Sequence, residues 1–133
     1  MKKFLGLLLA GAMLASSFTG CSGKTSSSDE KTLLIGGTGP LTGDYATYGI
    51  SVQQGAQIAV DEINEKGGVN GYTVKLEVED DQADPQQAVQ AYAKLMDNGM
   101  NLSLGSTTSG ACVALVKEAK DDGIVTMTPS ASQ

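Results

Sequence analysis

From about Thr32 onward, short apolar runs alternate with longer stretches whose apolar residues recur every three or four positions. Short apolar or alternating runs make strands and a 3.6-residue period makes helices, so this pattern specifies βαβ units and a mostly parallel sheet. Leu33-Leu34-Ile35 is continuously apolar, as a strand covered on both faces must be. A long loop, Gly36 to Tyr48, follows it. Val52, Ala56, Ala59, Val60 and Ile63 then recur at helical spacing until Gly67-Gly68, and Asn70-Gly71 makes the turn back. Val74, Leu76 and Val78 alternate with Lys75, Glu77 and Glu79, which gives this strand one wet face and suits the sheet edge.

Asp84-Pro85-Gln86-Gln87 combines a capping acid, a proline at the first helical position and a glutamine three residues after the cap. The helix it starts carries Ala88, Tyr92, Leu95 and Met96 on its buried stripe and ends at Asn98-Gly99. Leu102-Ser103-Leu104 and Ile124-Val125-Thr126-Met127 read as two further strands, around a helix with Cys112, Leu115, Val116 and Ala119 on one face. The expected architecture is a doubly wound α/β fold of four parallel strands and three helices. Right-handed crossovers bring the loops that start near Gly36, Asp80, Gly105 and Thr128 to one edge of the sheet, where open α/β folds bind ligands.

The first 31 residues read differently. Met1-Lys2-Lys3 and the apolar stretch Phe4 to Ala15 have the layout of an export signal, too short to span a bilayer as about 20 apolar residues would. Ser16 to Gly20 then lead to Cys21, which resembles a bacterial lipobox with Phe18 in place of the usual leucine. That resemblance implies a signal peptide over 1–20, lipidation of Cys21 and attachment to the outer face of the bacterial cell membrane. Several acyl chains on one cysteine anchor stably, since each buried methylene contributes about 0.8 kcal/mol. Residues 21–31 are small and polar, as a flexible Ser-rich tether is, and residues 32–133 form the folded part.

Composition removes several function classes. With Lys2 and Lys3 cleaved away, seven lysines face 15 acidic residues, a net charge of −8, and no arginine is present. Nucleic acid is not an expected partner, because phosphate neutralisation needs clustered cations. The chain has no histidine, and with Cys21 acylated only Cys112 remains as a thiol, so neither a zinc site nor an internal disulfide is expected. Gly36 to Gly43, GGTGPLTG, has neither GxGxxG spacing nor the Gly-Lys-Ser/Thr of a phosphate loop. Its glycines read as permitting a tight loop beside the sheet. Glu79-Asp80-Asp81 with Asp84 invites a calcium or acid/base reading, but helix capping by Asp84 and the solvated edge of the strand account for most of it. No cofactor or metal is expected.

Residues 104–111, LGSTTSGA, place four hydroxyls between a strand and a helix. Ser109 has no histidine to serve as its base and no Gly-x-Ser-x-Gly elbow, so hydrolase chemistry is not supported. Two readings stay open. Ser109 either caps the following helix or helps the helix start to hold an anion, for which unpaired first-turn N–H groups and the macrodipole are suited. Without arginine, a small carboxylate fits better than a phosphate ester.

The stretches GPLTGDYATYG, GAQIAVDEINEKGGVNGY, EDDQADPQQAVQAYAKLMDNG, LGSTTSGA and GIVTMTPSAS, in this order and spacing, resemble the amino-terminal lobe of branched-chain amino acid substrate-binding proteins of ABC importers. The resemblance covers nearly all of residues 32–133. It implies the first lobe of a type I periplasmic-binding-protein fold, the second lobe lying outside this sequence. It further implies that Ser109 and the loop Ser130-Ala131-Ser132 bind an amino acid's carboxylate and ammonium, that Tyr48 lines the side-chain pocket, and that Thr108 occupies a neighbouring position. Ser132 stands where threonine is common. Some members carry a disulfide between the positions of Ala83 and Thr108, and here both cysteines are replaced. The implied function is binding of a small amino acid such as leucine, isoleucine or valine, without catalysis, for delivery to ABC permease subunits. A monomer is expected at full length. Relatives that bind urea, short amides or aromatic acids, and ligand-sensing domains of signalling receptors, are the alternatives.

Overall fold

A computed structural model of the chain describes residues 31–132. The stretch expected to be a signal peptide, Cys21 and all but the last residue of the expected tether lie outside the described residues, as does Gln133. Six elements follow in order: β1 (Thr32–Gly39), α1 (Ala46–Glu65), β2 (Thr73–Asp80), α2 (Pro85–Asp97), β3 (Leu102–Ser106) and α3 (Ser109–Asp121). The strands form a parallel sheet in the order β2-β1-β3, so the strand with alternating charge is at the edge, as its pattern predicts.

Going from β1 to β2 and then back across to β3, right-handed crossovers put α1 on one face of the sheet and α2 with α3 on the other. The core lies on the α2/α3 face, where Leu34, Tyr92, Leu95, Met100, Leu115 and Ala119 form one buried cluster, with Met96 and Ile124 packed against it. Asp84 caps α2 as expected: its carboxylate accepts from the N–H groups of Gln86 at 2.8 Å and Gln87 at 2.9 Å. At the opposite end of the sheet, the Asn64 side chain donates to Val74 O (2.8 Å) and accepts from Val74 N–H (2.9 Å). An amide that pairs both ways does for this edge residue what a neighbouring strand would do.

Four expectations need correction. The glycines from Gly36 to Gly39 belong to β1 and not to a loop. A Cβ at Gly36 would run into the Met100 thioether, and one at Gly37 would touch Leu104, so neighbouring side chains use the space the glycines leave. Helix α1 starts at Ala46, earlier than the apolar spacing indicated. Ala59 and Val116 are exposed, because each of their helices packs one narrow stripe. The stripe on α1 centres on Gly49 and Val60, and that on α3 on Ala111, Cys112, Leu115 and Ala119.

Residues 124–127 do not form a strand. They make a single parallel bridge, Thr126 to Ser103, in which Ser103 N–H donates to Val125 O (2.9 Å) and Met127 N–H donates to Ser103 O (3.0 Å). The ladder stops there because β3 is bulged. It advances from Ser103 to Ser106 while β1 advances from Gly36 to Thr38, and Gly105 takes a left-handed φ of 68° with Met127 O 3.2 Å from where a Cβ would be.

Candidate ligand-binding site

In a sheet of order β2-β1-β3, the connections leaving β1 and β3 diverge to opposite faces, and a crevice opens between them at the carboxyl ends. Here that crevice is a cleft of about 370 Å³ lined by Tyr45, Tyr48, Thr107, Thr108, Ser109 and Ser130. It lies between the starts of α1 and α3, so the positive ends of two macrodipoles flank it. Four of the residues singled out from the sequence, Tyr48, Thr108, Ser109 and Ser130, are on its walls. Ala131 and Ser132 lie beside it: Ala131 N–H donates to Thr128 Oγ1 (2.9 Å) and Ser132 N–H to Ser109 Oγ (3.3 Å).

Ser109 is not the cap of α3. Thr108 holds that position with extended φ and ψ, and its side chain makes no capping bond. The first-turn N–H groups of α3 thus lack the hydroxyl acceptor that a capping Thr or Ser supplies. The hydroxyl oxygens of Thr107 and Thr108 are buried and have no hydrogen-bond partner among the described residues. Thr107 is only 6% exposed. Unsatisfied buried hydroxyls are costly, and because neither oxygen has accessible surface, a polar ligand group meets them only when these side chains turn toward the cleft. The opposite wall is aromatic and open, with Tyr45 56% and Tyr48 66% exposed.

Sequence reasoning missed Tyr45 and Thr107. Tyr45 stands three residues before Tyr48, the spacing that puts two side chains on one side of a helix start. Thr107 lies in the same hydroxyl run as Ser109, but which members of that run face the cleft depends on the β3 bulge.

The loops that build the cleft are tied together below it. Thr107 N–H donates to Thr38 O (3.1 Å), and Ser130 Oγ donates to Thr107 O. Thr128 Oγ1 donates to Ser106 O (3.0 Å) while accepting from Ala131 N–H. Asp80 accepts from Leu41 N–H (2.8 Å), Thr42 Oγ1 (2.5 Å) and Gln82 N–H (3.0 Å). Burial pushes the Asp80 carboxyl up, but these hydrogen bonds outweigh it and hold the pKa below the usual 3.8. Among the described residues no group of His, Cys, Asp or Glu side chains could hold a metal ion, and no helix is long and apolar enough to cross a membrane.

The chain belongs to the periplasmic binding protein family, which residues 32–133 match. It is 42% identical over 100 residues to the Leu/Ile/Val-binding protein BraC3 of Rhizobium johnstonii, covering 75% of this chain and 27% of that protein. Among solved structures it is similar to the branched-chain amino acid transporter substrate binding protein LivJ of Streptococcus pneumoniae in complex with isoleucine. The TM-score is 0.74 with 36% identity, over 77% of this chain and 30% of that one. It is also similar to a fatty acid ABC transporter substrate-binding protein from Thermomonospora curvata, with TM-score 0.68 and 33% identity, over 74% of this chain and 25% of that one. The chain thus spans about a quarter of the length of these relatives and has the fold of their first lobe.

Proposed function

We propose that the full-length protein is an extracytoplasmic, lipid-anchored solute receptor of an ABC importer that binds a small amino acid, branched-chain in the leading reading, and hands it to the permease. The observation that carries this is the pairing, across one cleft, of an uncapped helix start bearing unpartnered hydroxyls with two exposed tyrosines. The ligand carboxylate lies against the first-turn N–H groups of α3, Ser109 and the Ser130-Ala131-Ser132 loop, where fixed dipoles replace water. Its apolar side chain lies against Tyr48 and Tyr45. The Ser130-Ala131-Ser132 loop also meets the ammonium, whose contacts a second lobe completes, and contacts to both lobes favour a closed state over an open one. No bond is broken. The likeness to a Leu/Ile/Val-binding protein and to a branched-chain amino acid binding protein in complex with isoleucine supports the ligand class.

A second reading, a different solute in the same first lobe, is favoured by the similarity to a binding protein for fatty acid. Urea, short amides and aromatic acids belong to that reading too. Isothermal titration of the full-length protein with leucine, isoleucine and valine, alongside a thermal-shift screen of these other solutes, separates the two. Tight binding of an amino acid is expected. Indifference to all amino acids together with stabilisation by another solute overturns the leading reading. Ser109→Ala is expected to weaken amino acid binding by about 1–3 kcal/mol, the cost of stranding a buried partner. Unchanged affinity would remove Ser109 from the site.

A further inference from the structure

The end of β2 contributes no side chain to the cleft lining, yet the residue directly after it, Asp81, is the most completely buried charged residue among the described residues, at 0% exposure. Its carboxylate accepts from Ser106 Oγ at 2.6 Å and from Ala83 N–H at 2.9 Å. Ser106 is the last residue of β3, directly before Thr107 and Thr108, and its carbonyl accepts the Thr128 hydroxyl that organises Ser130 and Ala131. Asp80, pointing the other way as strand alternation requires, grips Leu41 and Thr42 in the connection that leads to Tyr45 and Tyr48. Both carboxylates also hold the N–H groups of Gln82 and Ala83, two consecutive non-glycine residues with left-handed φ values of 51° and 60°. Such a pair is unfavourable on its own and persists where the surroundings enforce it.

We propose that Asp80 and Asp81 are positioning residues for the ligand site, one fixing the aromatic wall through the residue 40–42 connection and the other fixing the hydroxyl wall through Ser106. The proposal rests on the reading of the cleft as a solute site. It gives the acidic cluster a role that neither capping nor a solvated strand edge supplies. A fully buried carboxylate with two donors is expensive to strand, so Ser106 has one low-energy placement, and Thr107, Thr108 and the 128–132 loop inherit it.

The test uses the full-length protein. Asp81→Ala is compared with Asn64→Ala, which breaks the Asn64–Val74 clasp at the far end of the sheet and destabilises the fold without touching the cleft. Leucine affinity is read by calorimetry at a temperature where thermal melts show every variant folded. Asp81→Ala is expected to raise Kd about ten- to hundredfold, and Asn64→Ala to leave it within about twofold. Asp81→Asn, which keeps an acceptor for Ala83 and an amide for Ser106, is expected to recover most of the affinity. Should Asp81→Ala fail to fold, Ser106→Ala carries the test, with raised Kd expected. Equal effects of Asp81→Ala and Asn64→Ala, or unchanged affinity in Asp81→Ala or Ser106→Ala, overturn the proposal.

Amide hydrogen exchange of the ligand-free protein decides the matter even if the wild type binds no amino acid, a result that would instead sink the functional reading. Asp81→Ala is expected to lose protection at residues 107–112 and 130–132 and Asp80→Ala at 41–48, with α2 unchanged. Protection lost evenly over the whole sheet in these variants overturns the positioning role.

Discussion

At the scale of single residues, the cleft depends on how closely backbone segments approach. Gly49, in the first turns of α1, is buried, and a Cβ there would collide with the carbonyl of Pro40. Gly36 also faces a collision, but with the thioether of Met100, a side chain with rotamers to spare. Gly49→Ala should therefore destabilise by about 1–3 kcal/mol or more, because backbone must move, and Gly36→Ala by less. Urea melts of the two variants check the order. Since the shift in Gly49→Ala moves the start of α1 and with it Tyr48, its ligand affinity should fall as well.

Between elements, Tyr92 shows how a polar tip is accommodated in an apolar core. Its ring is buried among Leu95, Leu115 and their neighbours, while its hydroxyl leaves the core and donates to Asp122 at the end of α3 (3.0 Å). Burial, the hydrogen bond to Asp122 and the charges of Asp122 and Glu118 raise the Tyr92 pKa from 10.0 to about 12. A phenol that keeps its proton longer in the folded state contributes stability that is complete below pH 10 and fades as pH rises toward 12. Tyr92→Phe retains the ring and removes the bond, so it should cost about 1 kcal/mol at neutral pH. Its stability should also fall less steeply than that of the wild type between pH 10 and 12. Urea melts at pH 8 and across the alkaline range measure both.

The elements themselves were largely legible. Asp84-Pro85 starts α2 where its chemistry says, and the alternating charges of Lys75, Glu77 and Glu79 put β2 at the edge. Those charges are less solvated than alternation alone implies. Glu79 pairs with Lys94 (2.8 Å) and Glu77 accepts from Asn98 (2.9 Å), so α2 covers the polar face with polar groups of its own. The stretch 124–127 failed as a strand because propensity says nothing about how much of a partner's edge is available, and the bulge in β3 leaves only Ser103 to pair.

For the molecule as a whole, one face of the sheet is not covered by any described element where β3 and the 124–127 stretch lie. Ile35, Leu102, Leu104, Val125 and Met127 line an apolar cleft of about 240 Å³ there, with Val125 69% and Met127 70% exposed. An apolar patch of this kind drives association in water. Residues 32–133 produced alone should self-associate in sedimentation experiments, and changing Val125 and Met127 to serine should reduce it. The same isolated lobe should bind leucine far more weakly than the full-length protein, since half of a two-sided site cannot gain the free energy of closure. Equal affinity in the two would rule out a two-lobe mechanism.

The sequence by itself determined the succession of the three strands and three helices, the start of α2 at Asp84-Pro85 and the parallel winding, because hydrophobic period, capping chemistry and crossover handedness act over a few residues or follow from chirality. From these it also followed that the hydroxyl run would meet the loop after the first strand. Only the tertiary structure decided that Gly36 to Gly39 are strand, that Thr108 and not Ser109 heads α3, that Tyr45 and Thr107 line the cleft, and that Asp81 is buried against Ser106. Each of these turns on contacts between residues distant in the chain: a thioether filling the space over a glycine, a bulge that rotates one strand end, a carboxylate meeting a hydroxyl 25 positions away. Local patterns carry no information about such meetings, which packing alone selects.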